Sequence, residues 1–573
     1  MNKIKPEYPR PQFERKSYIN LNGEWEFEID NSFSEKEKGI CDRHLKDKII
    51  VPFCPESKLS GIENKDYMNK VWYRKDFTAK CDGKRLILHF GAVDWEAELF
   101  INGTYVATHR GGYTPFDCDI TDYVKDGENY ITLSAYDNAK DKRYGSGKQC
   151  WDLRSRSCLY TRTTGIWQTV WYEYVDPVNI KEIKMYPSIS DTSVMIEAEL
   201  SDYCGTRFNA EVYFDNNLCG KASIAPCSNR VRVQIPLSEE HLWELGNGNL
   251  YDVKLTLTKD NAIKDEVKSY FGLREVALRG NKFYLNGKSV FQRLVLDQGF
   301  YPDGIYTSKN DDEIKADILS SLKYGFNGAR LHEKVFEPRY LYWADKLGYM
   351  VWGETPDWGM DLTNYKGLHY FINEWLEEIK RDFNHPSIIG WCPFNEVQLN
   401  RDDDIIPDVY KITKQLDNTR PVIDVSGFFH TSETDIVDAH IYEENPDVLK
   451  SMLTEPGLTS EPDDTKCPEQ DWKKIFKKGK PLFISEYGGI GFSSNDNDVF
   501  YGAMPKTREE FVKRYKGVTE AMLFNENVMG FCYTQLYDVE QETNGLMTYQ
   551  REDKFPPEIF YKINTQIAEV EKE

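Results

Sequence analysis

Residues 387–396 read SIIGWCPFNE and residues 481–489 read PLFISEYGG. Each is a short apolar run that stops abruptly in polar residues, Asn395-Glu396 in one and Glu486 in the other. Both are too short for a core helix and are bounded by Pro or Gly, so both read as buried strands. Six more runs share this grammar: SVFQRLVLDQG (289–299), GFNGARLHE (325–333), GYMVWGE (348–354), PVIDVSG (421–427), DIVDAHIYEE (435–444) and VMGFCYTQLYD (528–538). Helix-period stretches separate several of them, among them DDEIKADILSSLKYG (311–325), PRYLYWADKLG (338–348) and FINEWLEEIKRDFN (371–384). Eight strand–helix alternations in about 300 residues predict a (β/α)₈ barrel. A doubly wound open sheet fits less well, because the strand count is high and no Gly-rich phosphate loop is present.

Upstream of the barrel the pattern is all β. Alternating runs such as RLILHFGAVDWEAELFINGTYVATHRGG (85–112) and ENYITLSAYDNA (128–139) are punctuated by turn residues, and Asn102-Gly103 between two of them is a hairpin signal. These runs predict a jelly-roll or Greek-key sandwich over 1–175. SVMIEAEL, NAEVYFDN, RVRVQIPL and YDVKLTLTKD predict an immunoglobulin-like sandwich over 176–273, and the TIM barrel takes 274–573. The fold class is thus multidomain, β followed by α/β.

Composition narrows the function classes without naming one. Of 573 residues, 72 are Lys or Arg and 94 are Asp or Glu, so 72 − 94 gives a net charge of −22. That surplus argues against nonspecific binding to nucleic acid or anionic lipid. An aromatic share of 14% argues for large cores rather than disorder. The first twenty residues hold no apolar signal region, and no run approaches a membrane span, so a cytoplasmic protein is expected. The 12 cysteines are scattered without a C-x-x-C pair, which fits free thiols in a reducing compartment. The histidines show no helical metal motif, and the acidic stretch at 401–404 lacks EF-hand spacing, so no metal is expected.

Barrel active sites lie at the C-terminal strand ends. The candidates there are Asp297, Arg330, His332, Glu354, Asn395, Glu396, Asp424, His440, Tyr442, Glu486 and Gln535. Within this set Glu396 and Glu486 end the fourth and seventh runs. Two carboxyls across one rim are what glycoside hydrolysis needs, one protonated to donate to the leaving oxygen and one ionised to attack the anomeric carbon. Burial and charged neighbours divide those roles. Asn395 could hold a sugar hydroxyl beside the reaction centre. A single strand-end Glu would more simply cap a loop or pair with an Arg; two of them in one barrel, beside Asn and aromatics, shift the balance to chemistry.

The chain also resembles glycoside hydrolase family 2, which includes β-galactosidases, β-glucuronidases and β-mannosidases. LNGEWEF (21–27), VPFCPES (51–57), GAVDWEAELFINGTYV (91–106), YTPFDCDIT (113–121) and TTGIWQTVWYE (163–173) are similar to its sugar-binding-type sandwich. The stretch ending in FGLREV (271–276) is similar to its immunoglobulin-like domain. FYLNGK (283–288), FNGARLH (326–332), ADKLGYMVWGE (344–354), HPSIIGWCPFNE (385–396) and FISEYGG (483–489) are similar to its barrel. The resemblance places Glu396 at the acid/base position and Glu486 at the nucleophile position of a retaining double displacement, with no cofactor. It further implies that Arg330 keeps Glu486 ionised and that Tyr442 hydrogen-bonds it. His332 stands one residue closer to Arg330 than the family's pattern has it. Enzymes of this kind often associate, so a homo-oligomer is possible.

The pattern also fails in places. An acid six residues before Gly165-Ile166 is replaced by Leu159, and VWGETPDWGM (351–360) lacks the large galactosidases' magnesium motif. QETNGLMTYQRED (541–553) has Asn544 but not the Lys two positions on with which glucuronidases read the uronic carboxylate. Thr534 stands where the family has a Trp platform. Substitute sugar contacts could come from Asp297, Trp358, Tyr533 or the loop between Tyr144 and Trp167. The reading is an exo-acting retaining β-glycosidase whose partner is a carbohydrate. β-Galactosidase is the first choice, with β-glucuronidase, β-galacturonidase, α-L-arabinopyranosidase and β-mannosidase as alternatives. The rival from another class is a noncatalytic carbohydrate-binding protein.

Overall fold

The computed structural model describes residues 4–35, 39–397, 401–402, 404–460, 472–476, 479–492 and 498–572. Two sheets of four and six strands make the first sandwich. The larger runs in the order Asp47–Val51, Gly23–Ile29, Lys70–Ala79, Gly127–Tyr136, Glu96–Ile101, Thr104–Arg110. Strict alternation builds it: in Glu96–Ile101, Ala97, Leu99 and Ile101 are buried while the residues between them are half-buried. The expected hairpin turn is present, with Asn102 and Gly103 at φ of 49° and 77°, as a type I′ turn requires. The second sandwich packs a three-stranded sheet on a four-stranded one, and its strand Arg230–Pro236 buries Val231, Val233 and Ile235.

The barrel sheet is parallel, in the order Ile388–Cys392, Met350–Glu354, Gly328–Leu331, Gln292–Asp297, Val528–Thr534, Leu482–Gly488, Val437–Ile441. Seven of the eight expected runs are therefore strands of one curled sheet. The remaining run, 421–427, sits in the gap. Ile423 donates to the Trp391 carbonyl at 3.0 Å and Ser426 to that of Phe394 at 2.8 Å. Its other side has a backbone bond from Asp435 to the Val422 carbonyl at 3.0 Å and is otherwise tied through a side chain, since both the Ser426 hydroxyl (2.6 Å) and the Gly427 amide (3.0 Å) donate to Asp438. Asp424 explains the irregularity. Its carboxylate accepts from the amides of Val425 and Thr431, offering the backbone local partners in place of a ladder.

Neighbouring strands share space by exchanging size. Trp352 pairs with Gly390 and Trp391 with Gly353; the first pair faces the barrel interior and the second the helices. A hairpin at 276–289 plugs the barrel floor, where Phe283 and Leu285 pack with Leu294, Leu296, Trp352, Phe483 and Met529. Among the described residues no helix is long and apolar enough to cross a membrane. The eleven described cysteines are free thiols, and Cys467 lies outside the described residues, as does position 403 of the acidic stretch.

Candidate active site

Glu486 owes its position to an irregular strand. The register of Leu482–Gly488 shifts between Ile484 and Tyr487, so alternation fails there and Ser485 and Glu486 both turn inward. Glu486 is 5% exposed. Arg330 Nη1 reaches one carboxylate oxygen at 3.2 Å, the Tyr442 hydroxyl donates to the other at 2.5 Å, and His440 Nε2 lies 3.4 Å from the first. Burial alone would raise its pKa. The charges of His440, His332 and Arg330, with the Tyr442 donor, overcome that and hold it well below the usual carboxylate range.

Glu396 stands on the facing loop with φ of 50°, in the left-handed region that few residues other than Gly occupy. The backbone is held there by its amide, which donates to the Ser426 carbonyl at 2.8 Å. Its side chain is 20% exposed, against 7% for that of Glu486. His440 Nδ1 lies 2.7 Å from Glu396 Oε1. On the other side of the ring, His440 Nε2 is 3.0 Å from the Ser426 hydroxyl, whose proton goes to Asp438 at 2.6 Å. Nε2 therefore donates to Ser426, and Nδ1 shares one proton with Glu396 across the 2.7 Å contact. Burial opposes a charge on the ring, but Glu486 and Glu396 raise its pKa above the ordinary value. One ligand-type atom each from Glu396, His440 and Glu486 lie within 4.8 Å of one another, which is the reach of a metal site. Hydrogen bonds already occupy both ring nitrogens, Nδ1 with Glu396 and Nε2 with Ser426, so charge pairing accounts for the trio.

Behind this pair Glu354 acts as a pillar. Its Oε2 takes Arg330 through Nε (3.1 Å) and Nη2 (2.9 Å), and its Oε1 takes His332 Nδ1 (2.7 Å). Arg330 also donates to the Asn395 side-chain oxygen at 3.2 Å and to the Ser485 carbonyl at 2.9 Å. Asn395 is fixed from behind as well, since its amide donates to Asp357 and its carbonyl accepts from the Trp358 indole at 3.2 Å. Its Nδ2 is buried without a partner among the described residues. The structure thus brings together Glu396, Glu486, Asn395, Arg330, His332, Tyr442 and Trp358.

Two expected sugar contacts lie elsewhere. Asp297 is 1% exposed and already accepts from the hydroxyls of Tyr340 and Tyr537 and from the Gly299 amide, so its oxygens serve the turn and core. Tyr533 points away from the interior. It packs edge-on against Tyr487 and Tyr515, while its neighbour Thr534 faces inward to Tyr442 at 3.2 Å. Strand periodicity alone predicts that either Tyr533 or Thr534 turns inward, but not which.

His440 stood among the rim candidates with no role attached. Its signal was available, because Asp438, His440 and Tyr442 share one face at period two. Lys148 lies in the loop between Tyr144 and Trp167, to which the sequence points as a source of sugar contacts, but no single-sequence feature singles it out there. It is 5% exposed, and its ammonium lies 3.5 Å from the centre of the Trp358 ring.

Comparison with known proteins places this geometry in a family context. The model described as "Glycosyl hydrolases family 2, TIM barrel domain" matches residues 276–556, the family's "sugar binding domain" matches 18–156, and a third model, "Glycosyl hydrolases family 2", matches 178–274. A β-galactosidase of Thermoanaerobacter pseudethanolicus is 28% identical over 426 residues, which cover 70% of this chain and 55% of that protein. The chain thus spans a little over half the length of that relative. A β-glucuronidase of Paenibacillus borealis is 23% identical over 588 residues, covering 93% of this chain and 94% of its own. A solved β-glucuronidase from Ruminococcus gnavus, in complex with D-glucuronic acid, shares the fold with a TM-score of 0.78. It is 19% identical, and the match covers 98% of this chain and 99% of that one.

Proposed function

Because the chain belongs to glycosyl hydrolase family 2, we propose that it is a retaining, exo-acting β-glycosidase that releases one sugar from the nonreducing end of a glycoside. The observation that carries this reading is the spacing of the two acids. An oxygen of Glu396 and one of Glu486 lie within 4.8 Å of each other. Retaining enzymes keep their carboxyls roughly 5 Å apart, whereas inverting ones leave roughly 6.5–9.5 Å for a water.

In this mechanism ionised Glu486 attacks the anomeric carbon while Glu396 gives its proton to the departing glycosidic oxygen. Glu396 then takes a proton from water, whose oxygen displaces Glu486 and frees the sugar. Arg330, His440 and Tyr442 keep Glu486 ionised and aimed. The unpartnered Nδ2 of Asn395 is the donor for the hydroxyl next to the anomeric centre. Galactosides and glucuronides are the first sugars to try, since relatives of both names match. A noncatalytic sugar-binding protein would have no need of two acids bridged by a histidine.

Proton NMR of the first product tests the mechanism. The β-anomer is expected before mutarotation, and Glu486→Gln is expected to abolish its release. An α-anomer at first appearance rules out double displacement.

A further inference from the structure

The loop YGSGKQC, residues 144–150, leaves the first sandwich and is clamped onto the barrel. Gly145 and Gly147 permit the approach, since a Cβ on either would fall 2.1 Å from the Pro356 carbonyl oxygen or 2.3 Å from that of Glu333. The amides of Ser146 and Gly147 donate to the Trp358 carbonyl at 2.8 and 3.2 Å, and the Lys148 carbonyl accepts from Tyr160 at 2.8 Å. Gln149 locks the far side, donating to Asp94 and accepting from the Thr163 amide. Lys148 is therefore delivered into the barrel mouth on a fixed backbone.

Its ammonium lies over Trp358, whose indole N–H holds the Asn395 carbonyl, one ring away from Asn395-Glu396. Burial would lower its pKa, but Cys158, Glu396, Glu542 and Glu333 act on it electrostatically and keep it raised. None of these acids bonds to it. The Glu542 oxygens are taken by the Tyr160 hydroxyl and Asn544 Nδ2, and Glu333 Oε2 by the amides of Asp357 and Trp358. Among the described residues the Lys148 ammonium donates no hydrogen bond and has no ion pair within 4.0 Å. A charged group so deeply buried is ordinarily paired. A neutral hydroxyl can accept from an ammonium but cannot neutralise it, whereas a carboxylate does both.

We propose that Lys148 reads the carboxylate of an acidic sugar, so that the glycone released is a hexuronide rather than galactose. This rests on the glycosidase reading above and narrows its choice of sugar. It also gives the missing strand-eight lysine a replacement from a different domain.

Binding to the full chain carrying Glu486→Gln separates recognition from turnover. Titration calorimetry would compare 4-nitrophenyl β-D-glucuronide, β-D-galacturonide and β-D-galactoside. One uronide is expected to bind about ten- to a hundredfold more tightly than the galactoside, the span of a charge-assisted hydrogen bond. Lys148→Met should erase that margin, and Lys148→Arg should keep most of it. A galactoside that binds as tightly as both uronides overturns the proposal, as does a margin that survives Lys148→Met or binding of none of the three. If Lys148→Met does not fold, the comparison of the three sugars still decides. Failure of the glycosidase reading would look different: the uronide binds, yet the unmutated chain turns over none of the three.

Discussion

At the scale of single residues, the site is a chain of charges centred on His440. Its ring touches Glu396 and faces Glu486, and Arg330 meets Glu486 from the other side. Such partners hold a buried carboxylate ionised at acidity where it would otherwise take a proton. Replacing His440 with Phe removes one of them while burial remains, so the pKa of Glu486 must rise. The acid limb of kcat/KM is expected to move up by on the order of 1–3 pH units. A merely structural role for His440 would lower the rate without moving the limb, so the pH–rate profile decides. Glu396→Gln removes the proton donor instead and is expected to lower kcat about 10²- to 10⁴-fold. Activity should survive best on substrates whose leaving group needs no proton.

At the scale of elements, two glycines set how closely strands and loops approach. A Cβ on Gly427 would lie 2.9 Å from His440 Nδ1 and 3.3 Å from Glu396 Cγ, on a backbone with φ of 112°. Gly427→Ala should push the imidazole off Glu396 and lower kcat at least tenfold. Gly390 meets Trp352 in the barrel interior, with a Cβ placed 2.3 Å from the indole. Overpacking of that kind costs about 1–3 kcal/mol. Gly390→Ala should therefore lower the midpoint of urea unfolding, and because the indole is far from flexible, an unchanged midpoint would contradict the packing. Glu396 and Glu486 were legible from sequence because each ends an apolar strand. The kink between Ile484 and Tyr487 was not, since a register shift is decided by neighbouring strands rather than by local pattern. The 421–427 run shows the same limit. Its apolar composition reads as a strand, but Asp424 diverts its hydrogen bonds.

At the scale of the whole molecule, a buried acid joins the first sandwich to the barrel. Glu374, on the barrel helix Tyr365–Asp382, accepts the Tyr113 amide of the sandwich at 2.6 Å. Burial raises its pKa to about 8. An acid whose folded pKa exceeds its unfolded value of about 4.3 stabilises the fold below that value and loses the contribution as pH rises through the folded pKa. Glu56, Asp137 and Asp357, each raised to about 7 by burial, act in the same direction. Lys334, lowered to about 7 by burial, opposes them above neutrality. Tm is thus expected to fall from about pH 5 to about pH 8, where the acids are fully ionised in the fold as well. Glu374→Gln should flatten that slope between about pH 5 and pH 8, and a slope identical to that of the unmutated chain would refute the role given to Glu374.

By itself the sequence determined the three-part architecture, because alternation at period two and the strand–helix rhythm are local properties that survive without knowledge of partners. It also determined the acid pair, since strand-end carboxylates in a barrel converge on one rim whatever the loops do. Tertiary structure alone decided that Asp297 and Tyr533 are turned to the core and that His440 bridges the pair. It alone brought Lys148 across a domain boundary to Trp358. The physical reason is common to all of these. Each depends on which groups meet across long separations in the chain, and the energy of a buried charge or hydroxyl is set by that partner rather than by its neighbours in sequence.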